Sequence, residues 1–119
     1  MKINDVSKLT GLPISTLRFY ERKNLIPGQF VQRDVNNYRI YSDEIVEFLN
    51  DVKLLLSVDF SIDELRLLVD QQINLSYEAK KQMVEQKIKE MDEIQKRLSA
   101  SKKFLYAVLE GKANFQTKC

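Results

Sequence analysis

No residue interrupts a helix from Ser76 to Glu110, and this stretch limits what this chain of 119 residues can fold into. It contains neither proline nor glycine, and Gly111 follows it where a helix is usually capped. As one helix of 35 residues it would extend for about 52 Å, at ~1.5 Å per residue. The roughly 70 residues before it are too few to cover such a helix, so we expect it to need a partner.

The predicted helix carries an apolar stripe with a seven-residue repeat, which is typical of coiled coils. Acid-before-base pairs such as Glu85/Lys89 lie four residues apart on its outer side, whereas Gln95 and Lys102 interrupt the seam. Homodimerisation is favoured over folding back onto the chain's own domain. We predict a dimerisation helix at 76–111, after a linker at 71–75 and before a tail at 112–119. The expected dimerisation residues are Val84, Ile88, Met91, Leu98, Leu105 and Leu109.

The net charge is only +2, but it is unevenly distributed along the chain. Residues 1–42 carry a net +4, residues 43–70 a net −6, and the remainder a net +4. A positive N-terminal third backed by an acidic segment indicates an anionic ligand for that third.

The N-terminal third predicts a helix-turn-helix. Asn4 is placed to cap a helix from Asp5 to Thr10, and Gly11 supplies the left-handed stop. Pro13 then begins a second helix that continues to Lys23. A generic corner between two helices remains an alternative on these residues alone.

The second predicted helix has an apolar side and an unusual polar side. Ile14, Leu17 and Leu25 fall together, as core residues do. Guanidinium, hydroxyl and aromatic groups share the rest of its surface, a combination more typical of a nucleic-acid reader than of a solvated helix. The residues on that surface are Ser15, Thr16, Arg18, Phe19 and Arg22.

Residues 29–41 predict a small hairpin, because two β-prone pieces flank a polar bend rich in Asp and Asn. Arg39 and Tyr41 are expected on one side of its second strand, opposite Tyr38 and Ile40. Such a wing suits a phosphate backbone, with Arg33, Tyr38 and Arg39 as contacts. Taken alone, an ordinary surface hairpin with solvated arginines explains these residues better.

Two more helices complete the predicted N-terminal domain, at residues 1–70. The third begins at Ser42–Glu44 and runs to about Leu56. The fourth opens on a capping box between Ser61 and Glu64 and runs to about Val69.

Composition narrows the function classes. The chain has no histidine and one cysteine, Cys119, so a zinc-type metal site, a catalytic constellation and an internal disulfide all lack residues. We therefore expect no enzyme activity, no metal and no cofactor. No apolar run reaches 18 residues and no signal peptide opens the chain, which favours a cytoplasmic protein without a membrane partner. Cys119 is interpreted as an incidental tail residue, in preference to a thiol sensor.

Four segments, in order and with matching spacing, resemble the MerR family of bacterial transcription regulators. Ile3–Leu12 corresponds to the family's opening helix and turn, and Thr16–Glu21 (TLRFYE) to its T-L-R-[YF]-Y-[ED] signature. Asn37–Ser42 (NYRIYS) is similar to its wing motif, and Phe60–Leu65 (FSIDEL) to its fourth-helix start. Asp59 stands where that last motif has glycine, which leaves the local turn geometry open.

The resemblance implies a mainly α fold: a winged helix-turn-helix DNA-binding domain followed by a dimerisation helix in an antiparallel coiled coil. It places Ser15, Thr16, Phe19 and Tyr20 at the major groove, although the Tyr20 ring also suits the core. Backbone amides at Ser61 are a further phosphate site, since helix N-termini attract anions. The implied phosphate contacts from side chains are Arg18, Arg22, Arg33, Tyr38 and Arg39.

The implied mechanism is that of a homodimer on a pseudo-palindromic operator in promoter DNA, which bends and untwists the DNA so that RNA polymerase engages both promoter elements. RNA polymerase is thus an indirect partner, through the promoter DNA. A small-molecule inducer of unknown identity is a further expected partner. Metal-sensing members have cysteines near the end of the dimer helix, and aldehyde-responsive members have one where Leu54 aligns. Multidrug-sensing members append a large domain, whereas eight residues follow Gly111 here. These three modes of sensing are therefore disfavoured.

Two other functions remain open from the sequence. One is an architectural DNA-bending factor of the excisionase type, which also uses a small winged helix. The other is a protein-interaction module in which the coiled coil joins a different partner.

Overall fold

The computed structural model describes residues 1–70 and 72–115. Gln71 of the expected linker and residues 116–119 of the expected tail, with Cys119, lie outside the described residues. The chain divides into two compact units, Met1–Ser76 and a second that begins at Tyr77. The elements in chain order are α1 (Ile3–Thr10), α2 (Ile14–Arg22), a 3-10 turn (Gly28–Phe30), β1 (Val31–Arg33), β2 (Arg39–Tyr41), α3 (Glu44–Leu56), α4 (Ile62–Val69) and α5 (Tyr77–Leu109). The expected mainly helical fold, with a winged helix-turn-helix followed by one long helix, is confirmed.

Helix α1 begins two residues earlier than expected. Lys2, and not Asn4, occupies the capping position with an extended backbone. The Asp5 carboxylate accepts the Lys2 backbone N–H at 3.3 Å, and it lies in the first turn where the helix dipole favours an anion. The prediction that Asn4 caps this helix was wrong because Asp5 reaches back to satisfy the free backbone donor.

The turn between α1 and α2 forms as expected. Gly11 is left-handed, with φ of 74°, and its N–H donates to the Ser7 carbonyl at 2.9 Å. The buried Thr10 hydroxyl donates to the Val6 carbonyl and accepts the Leu12 N–H. These bonds fix the angle at which α2 leaves the turn.

The wing is a two-stranded antiparallel sheet in which Val31 pairs with Tyr41 and Arg33 with Arg39. Asp34 shapes its tip, since its Oδ1 accepts the backbone N–H groups of Asn36 and Tyr38, each at 2.9 Å. The Val35 side chain at the tip is fully exposed. The base of the wing is tied down where Met1 and Tyr41 exchange backbone hydrogen bonds of 2.6 and 2.7 Å.

The core of the first unit is formed by apolar side chains from every helix of that unit and from β2. Helix α1 packs against α2, α3 and β2. The rings of Phe30 and Phe48 meet at 5.3 Å and close one side of the core. The largest fully buried side chains are Val6, Leu17, Leu25, Ile45, Leu49 and Leu65.

Helix α4 opens on the predicted capping box. The Ser61 hydroxyl accepts the Glu64 backbone N–H at 3.1 Å, and the Glu64 carboxylate accepts the Ser61 backbone N–H at 2.9 Å. Asp59, two residues earlier, has a φ of 79°. Aspartate thus adopts the left-handed conformation for which the family motif has glycine.

Helix α5 has 33 residues and is about 50 Å long. It begins at Tyr77 and ends at Leu109, one residue inside each end of the continuous stretch in the sequence. Gly111, with φ of 75°, follows it as the expected left-handed cap. In the described part of the chain, no helix combines the length and the apolar character that crossing a membrane requires.

Candidate nucleic-acid interface

The polar side of α2 is open to solvent, as its residue types predict. Ser15, Arg18 and Arg22 are exposed, and Thr16 and Phe19 are half-buried. Leu17 is 2% exposed and anchors the helix in the core. The five solvent-accessible side chains therefore belong to one available surface.

Tyr20 is an exception among the expected DNA-facing residues. Its side chain is 6% exposed, and burial raises the pKa of its phenol. A ring packed in the core cannot lie against a base edge. Of the two roles considered for Tyr20, the structure supports the inward-packing one.

A basic cleft of about 340 Å³ lies between the start of α1, the exposed side of α2 and the wing. Four of the side chains that line it carry positive charge: Lys2, Arg18, Arg33 and Arg39. Tyr38, 67% exposed, adds a phenol to the same wall. The cleft therefore brings together four of the expected phosphate-contacting residues, which are 15 to 21 positions apart between helix and wing.

Lys2 was not among the predicted site residues. It reaches the cleft because the Met1 backbone pairs with Tyr41, which places the start of α1 beside the wing. No local sequence pattern around Lys2 predicts this proximity, because it depends on the tertiary pairing of Met1 with Tyr41.

Phe19 carries two cations over its ring. The guanidinium carbon of Arg22 lies 5.9 Å and the ammonium of Lys23 5.8 Å from the ring centroid. Lys23 was also missed, although its spacing of four residues from Phe19 on a helix does predict the contact. The aromatic side chain thus holds two positive groups at the C-terminal end of α2.

Glu21 connects α2 to the wing. Its Oε1 accepts a hydrogen bond from the Tyr41 hydroxyl, and its Oε2 lies 3.1 Å from Arg39 Nε. Burial and then the bond to the Glu21 carboxylate raise the pKa of Tyr41, while the nearby Arg39 and Arg18 charges act in the opposite direction. Arg39 and Tyr41 share one side of β2, as their alternation predicts.

Both arginines of the wing are exposed, and each has a partner within the first unit. Arg33 Nη1 donates to the Asn37 carbonyl at 2.9 Å, across the turn of the wing. Asn37 itself is left-handed, with φ of 66°, a conformation that asparagine tolerates better than most residues. An ordinary surface hairpin with solvent-exposed arginines therefore stays an alternative to a phosphate-binding wing.

The Ser61 backbone amide, expected to contact a phosphate, has a partner within the first unit. Glu64 accepts that N–H, so the donor is already satisfied within the capping box. Asp63 and Glu64 also place two carboxylates in the first turn of α4. Their negative charge opposes an anion at this helix end.

In the second unit, the stripe expected to mediate dimerisation lies on the surface. Every residue of α5 is described, and none of them is buried. Ile88 is 53% and Leu98 59% exposed, and Met91 is half-buried. The other exposed members of the stripe are Val84, Leu105 and Leu109.

Residues 1–72 match the sequence pattern of the MerR HTH family regulatory proteins. The chain belongs to the MerR family. The match covers the helix-turn-helix, the wing, α3 and α4, which are the elements that form the basic cleft and support it.

Individual MerR-type relatives match mainly in the same region. The transcriptional regulator CueR of Yersinia pestis is 39% identical over 69 residues, 58% of this chain and 48% of that protein. A ZntR homologue of Haemophilus influenzae is 32% identical over 85 residues, 71% of this chain and 58% of that protein. The chain thus spans about half the length of such relatives.

Two solved MerR-family structures share the fold. One, from Listeria monocytogenes and assigned to the family, has a TM-score of 0.80 at 18% identity, covering 99% of this chain and 89% of the other. The second is HiNmlR, a family regulator lacking the sensor domain and bound to promoter DNA. Its TM-score is 0.69 at 20% identity, with 93% of this chain and 91% of the other covered.

Proposed function

We propose that this MerR-family chain is a sequence-specific DNA-binding transcriptional regulator that acts as a homodimer on a pseudo-palindromic promoter operator. The observation that carries the proposal is the basic cleft between α2 and the wing, with Lys2, Arg18, Arg33 and Arg39 on its walls. Four cations converging on one concave surface suit a polyphosphate backbone better than a small ligand.

The two parts of the interface have different tasks. Thr16 and Phe19, with Ser15, lie on the open side of α2, where a helix in the major groove presents side chains to base edges. The hydroxyls suit donors and acceptors, and the ring suits a thymine methyl group. The phosphate contacts position the helix without reading sequence, and they are Lys2, Arg18, Arg22, Arg33, Tyr38 and Arg39.

The homodimer rests on the exposed stripe of α5. Large apolar side chains at heptad spacing gain about 25 cal/mol for each Å² of surface that a partner helix covers. A second copy offers an identical stripe, and an antiparallel pair would relate the two by a two-fold axis. That symmetry matches two operator half-sites, and the length of α5 would then set the spacing between the two α2 helices.

The mechanism that fits such a dimer is deformation of promoter DNA. Bending a site of this size costs on the order of 1–6 kcal/mol, which additional phosphate contacts offset. We propose that the bent and untwisted DNA is what RNA polymerase recognises, in the cytoplasm, and that an inducer of unknown identity shifts the balance. HiNmlR, which shares the fold, is bound to promoter DNA in its structure.

The test is an electrophoretic mobility shift with the DNA upstream of the chain's own gene, at moderate salt and against an equal length of unrelated DNA. We expect a preference of at least about a thousandfold for one upstream segment. Equal binding to both DNAs would overturn the proposal. Circularly permuted probes then measure bending, and bending without an effect on transcription would favour an architectural factor of the excisionase type.

A further inference from the structure

Glu21 is the only acidic residue of α2 (Ile14–Arg22), and it is directed at the wing. Its side chain is 14% exposed, whereas that of its partner Arg39 is 48% exposed. The second partner, Tyr41, is buried. One carboxylate therefore joins a buried phenol to a half-exposed guanidinium, and it does so across the junction of helix and wing.

The ion pair uses the Nε of Arg39. A guanidinium is planar and has five N–H donors in a fixed geometry. A carboxylate at Nε therefore fixes the plane of the group and leaves the Nη donors to bind another anion. Arg39 lines the basic cleft beside Arg18 and Arg33. A long side chain that is already ordered loses less conformational entropy when it binds a phosphate.

The same carboxylate also has a cost for DNA binding. Its negative charge lies next to Arg39 and Tyr41, which line a cleft that would receive phosphates, and like charges repel. The net effect of Glu21 on DNA affinity is the difference between this repulsion, which weakens binding, and the ordering of Arg39, which strengthens it. The pairing at 3.1 Å with Arg39 favours the ordering effect, because the nearest cation neutralises much of the charge locally.

We infer that Glu21 is a positioning residue for DNA binding. It orients the Arg39 guanidinium toward a DNA phosphate and holds the wing at a fixed angle to α2. This inference rests on the proposed DNA-binding function. It assigns a favourable role in binding DNA to an acid that touches no DNA itself.

The direction in which one substitution changes DNA affinity distinguishes a positioning role from a role through charge alone. Glu21→Gln keeps the size of the side chain and removes its charge. If Glu21 acted only through its charge, the variant would bind the operator more tightly than the wild type. Positioning predicts about tenfold weaker binding, and a slope of log affinity against log salt that is shallower by about one, the equivalent of one phosphate contact.

The matched control is Glu47→Gln, which removes an exposed acid of α3 that does not line the cleft. We expect this variant to bind equally or slightly more tightly, with an unchanged salt slope. Circular dichroism and thermal unfolding of each variant verify that the fold is retained.

A double-mutant cycle with Arg39→Gln excludes a merely structural effect. If Glu21 acts through Arg39, Glu21→Gln weakens binding in the wild type and does not weaken it further in the Arg39→Gln background. A general loss of folded protein would instead weaken binding by the same factor in both backgrounds and leave the salt slope unchanged. That result would overturn the inference.

Glu21→Asp decides the question if Glu21→Gln does not fold. It keeps the charge and shortens the side chain by one methylene. A positioning role therefore predicts weaker DNA binding, whereas a role through charge alone predicts unchanged binding. A wild type that binds DNA, together with variants at Glu21 that bind equally well or better, overturns this inference only. A wild type without any preferred DNA overturns the proposed function and this inference with it.

Discussion

The ammonium of Lys53 on α3 lies 2.6 Å from the carbonyl oxygen of Thr10, the last residue of α1. The final carbonyls of a helix have no donor within the helix, and a cation at that end also complements the helix dipole. One side chain from α3 thus completes the first helix of the helix-turn-helix at the point where its turn begins.

Replacement of Lys53 by Met should lower the free energy of unfolding by about 1 kcal/mol, because the Thr10 carbonyl loses its donor while the aliphatic stem remains. Urea denaturation at neutral pH measures the change. Lys8→Met, which removes an exposed lysine of α1 itself, is the control and should have a smaller effect. Equal changes for the two variants would contradict the capping role of Lys53.

The left-handed backbone at Asp59 predicts a difference between two substitutions. Asp59→Gly and Asp59→Ala both remove the carboxylate, but only glycine adopts a φ of 79° without a steric cost. The glycine variant should therefore be more stable than the alanine variant by about 1 kcal/mol. Thermal unfolding of the pair measures this difference directly, and two variants of equal stability would contradict it.

Arg18 and Thr16 should affect DNA binding in different ways. Arg18 is exposed and lines the basic cleft, so Arg18→Ala should weaken binding to all sequences by a similar factor and make the salt slope shallower by about one. Thr16→Ala should change which operator bases are preferred and leave the slope unchanged. Mobility shifts over a panel of operator variants at three salt concentrations test both, and a change in base preference for Arg18→Ala would contradict its phosphate role.

The stripe on α5 predicts the oligomeric state. Ile88→Glu places a charge at an exposed apolar position of the heptad and should shift a dimer toward monomer at micromolar concentration. Sedimentation equilibrium measures the shift. Gln82→Glu adds the same charge at an exposed position outside the stripe and should leave the dimer intact. A wild-type monomer that dimerises only with another protein would favour the interaction-module alternative.

Tyr41 predicts a loss of stability at alkaline pH. Its raised pKa means that the folded state holds the phenolic proton more tightly than the unfolded state, whose tyrosines titrate near pH ~10. The associated stability is complete below about pH 10 and declines above it, by up to about 1.4 kcal/mol per pH unit. Unfolding measured at about pH 8 and about pH 11 should show a smaller decline for Tyr41→Phe than for the wild type. Tyr38→Phe, which removes an exposed hydroxyl of the same wing, is the control.

The local elements of this fold could be predicted from the sequence because their signals are local. Gly11 and Gly111 end helices in the left-handed conformation, and the Ser61/Glu64 capping box opens α4. The start of α1 was placed wrongly. Asn4 is an acceptable cap by residue type, yet a carboxylate one residue further on satisfied the free donor from a different direction.

The composition of the basic cleft was only partly predictable. Arg18 of α2 and the two arginines of the wing follow from their residue types and from the family resemblance. Lys2 and the bonds of Glu21 depend on how the chain start and β2 meet, which no spacing along the sequence specifies. At Ser61, by contrast, the signal is local, since the capping box in the sequence already implies that its amide is bonded to Glu64.

At the tip of the wing, the residue that holds the turn and the residue that is fully exposed are different. The Asp34 carboxylate accepts two backbone N–H groups of the turn, and Val35 beside it is fully exposed. A mutation at Val35 has no packing to disturb, whereas one at Asp34 would remove two hydrogen bonds of the turn. In evolution, Val35 could therefore be substituted with little loss of stability. A basic or aromatic residue at this position could change the affinity for a new operator while the rest of the domain stays unchanged.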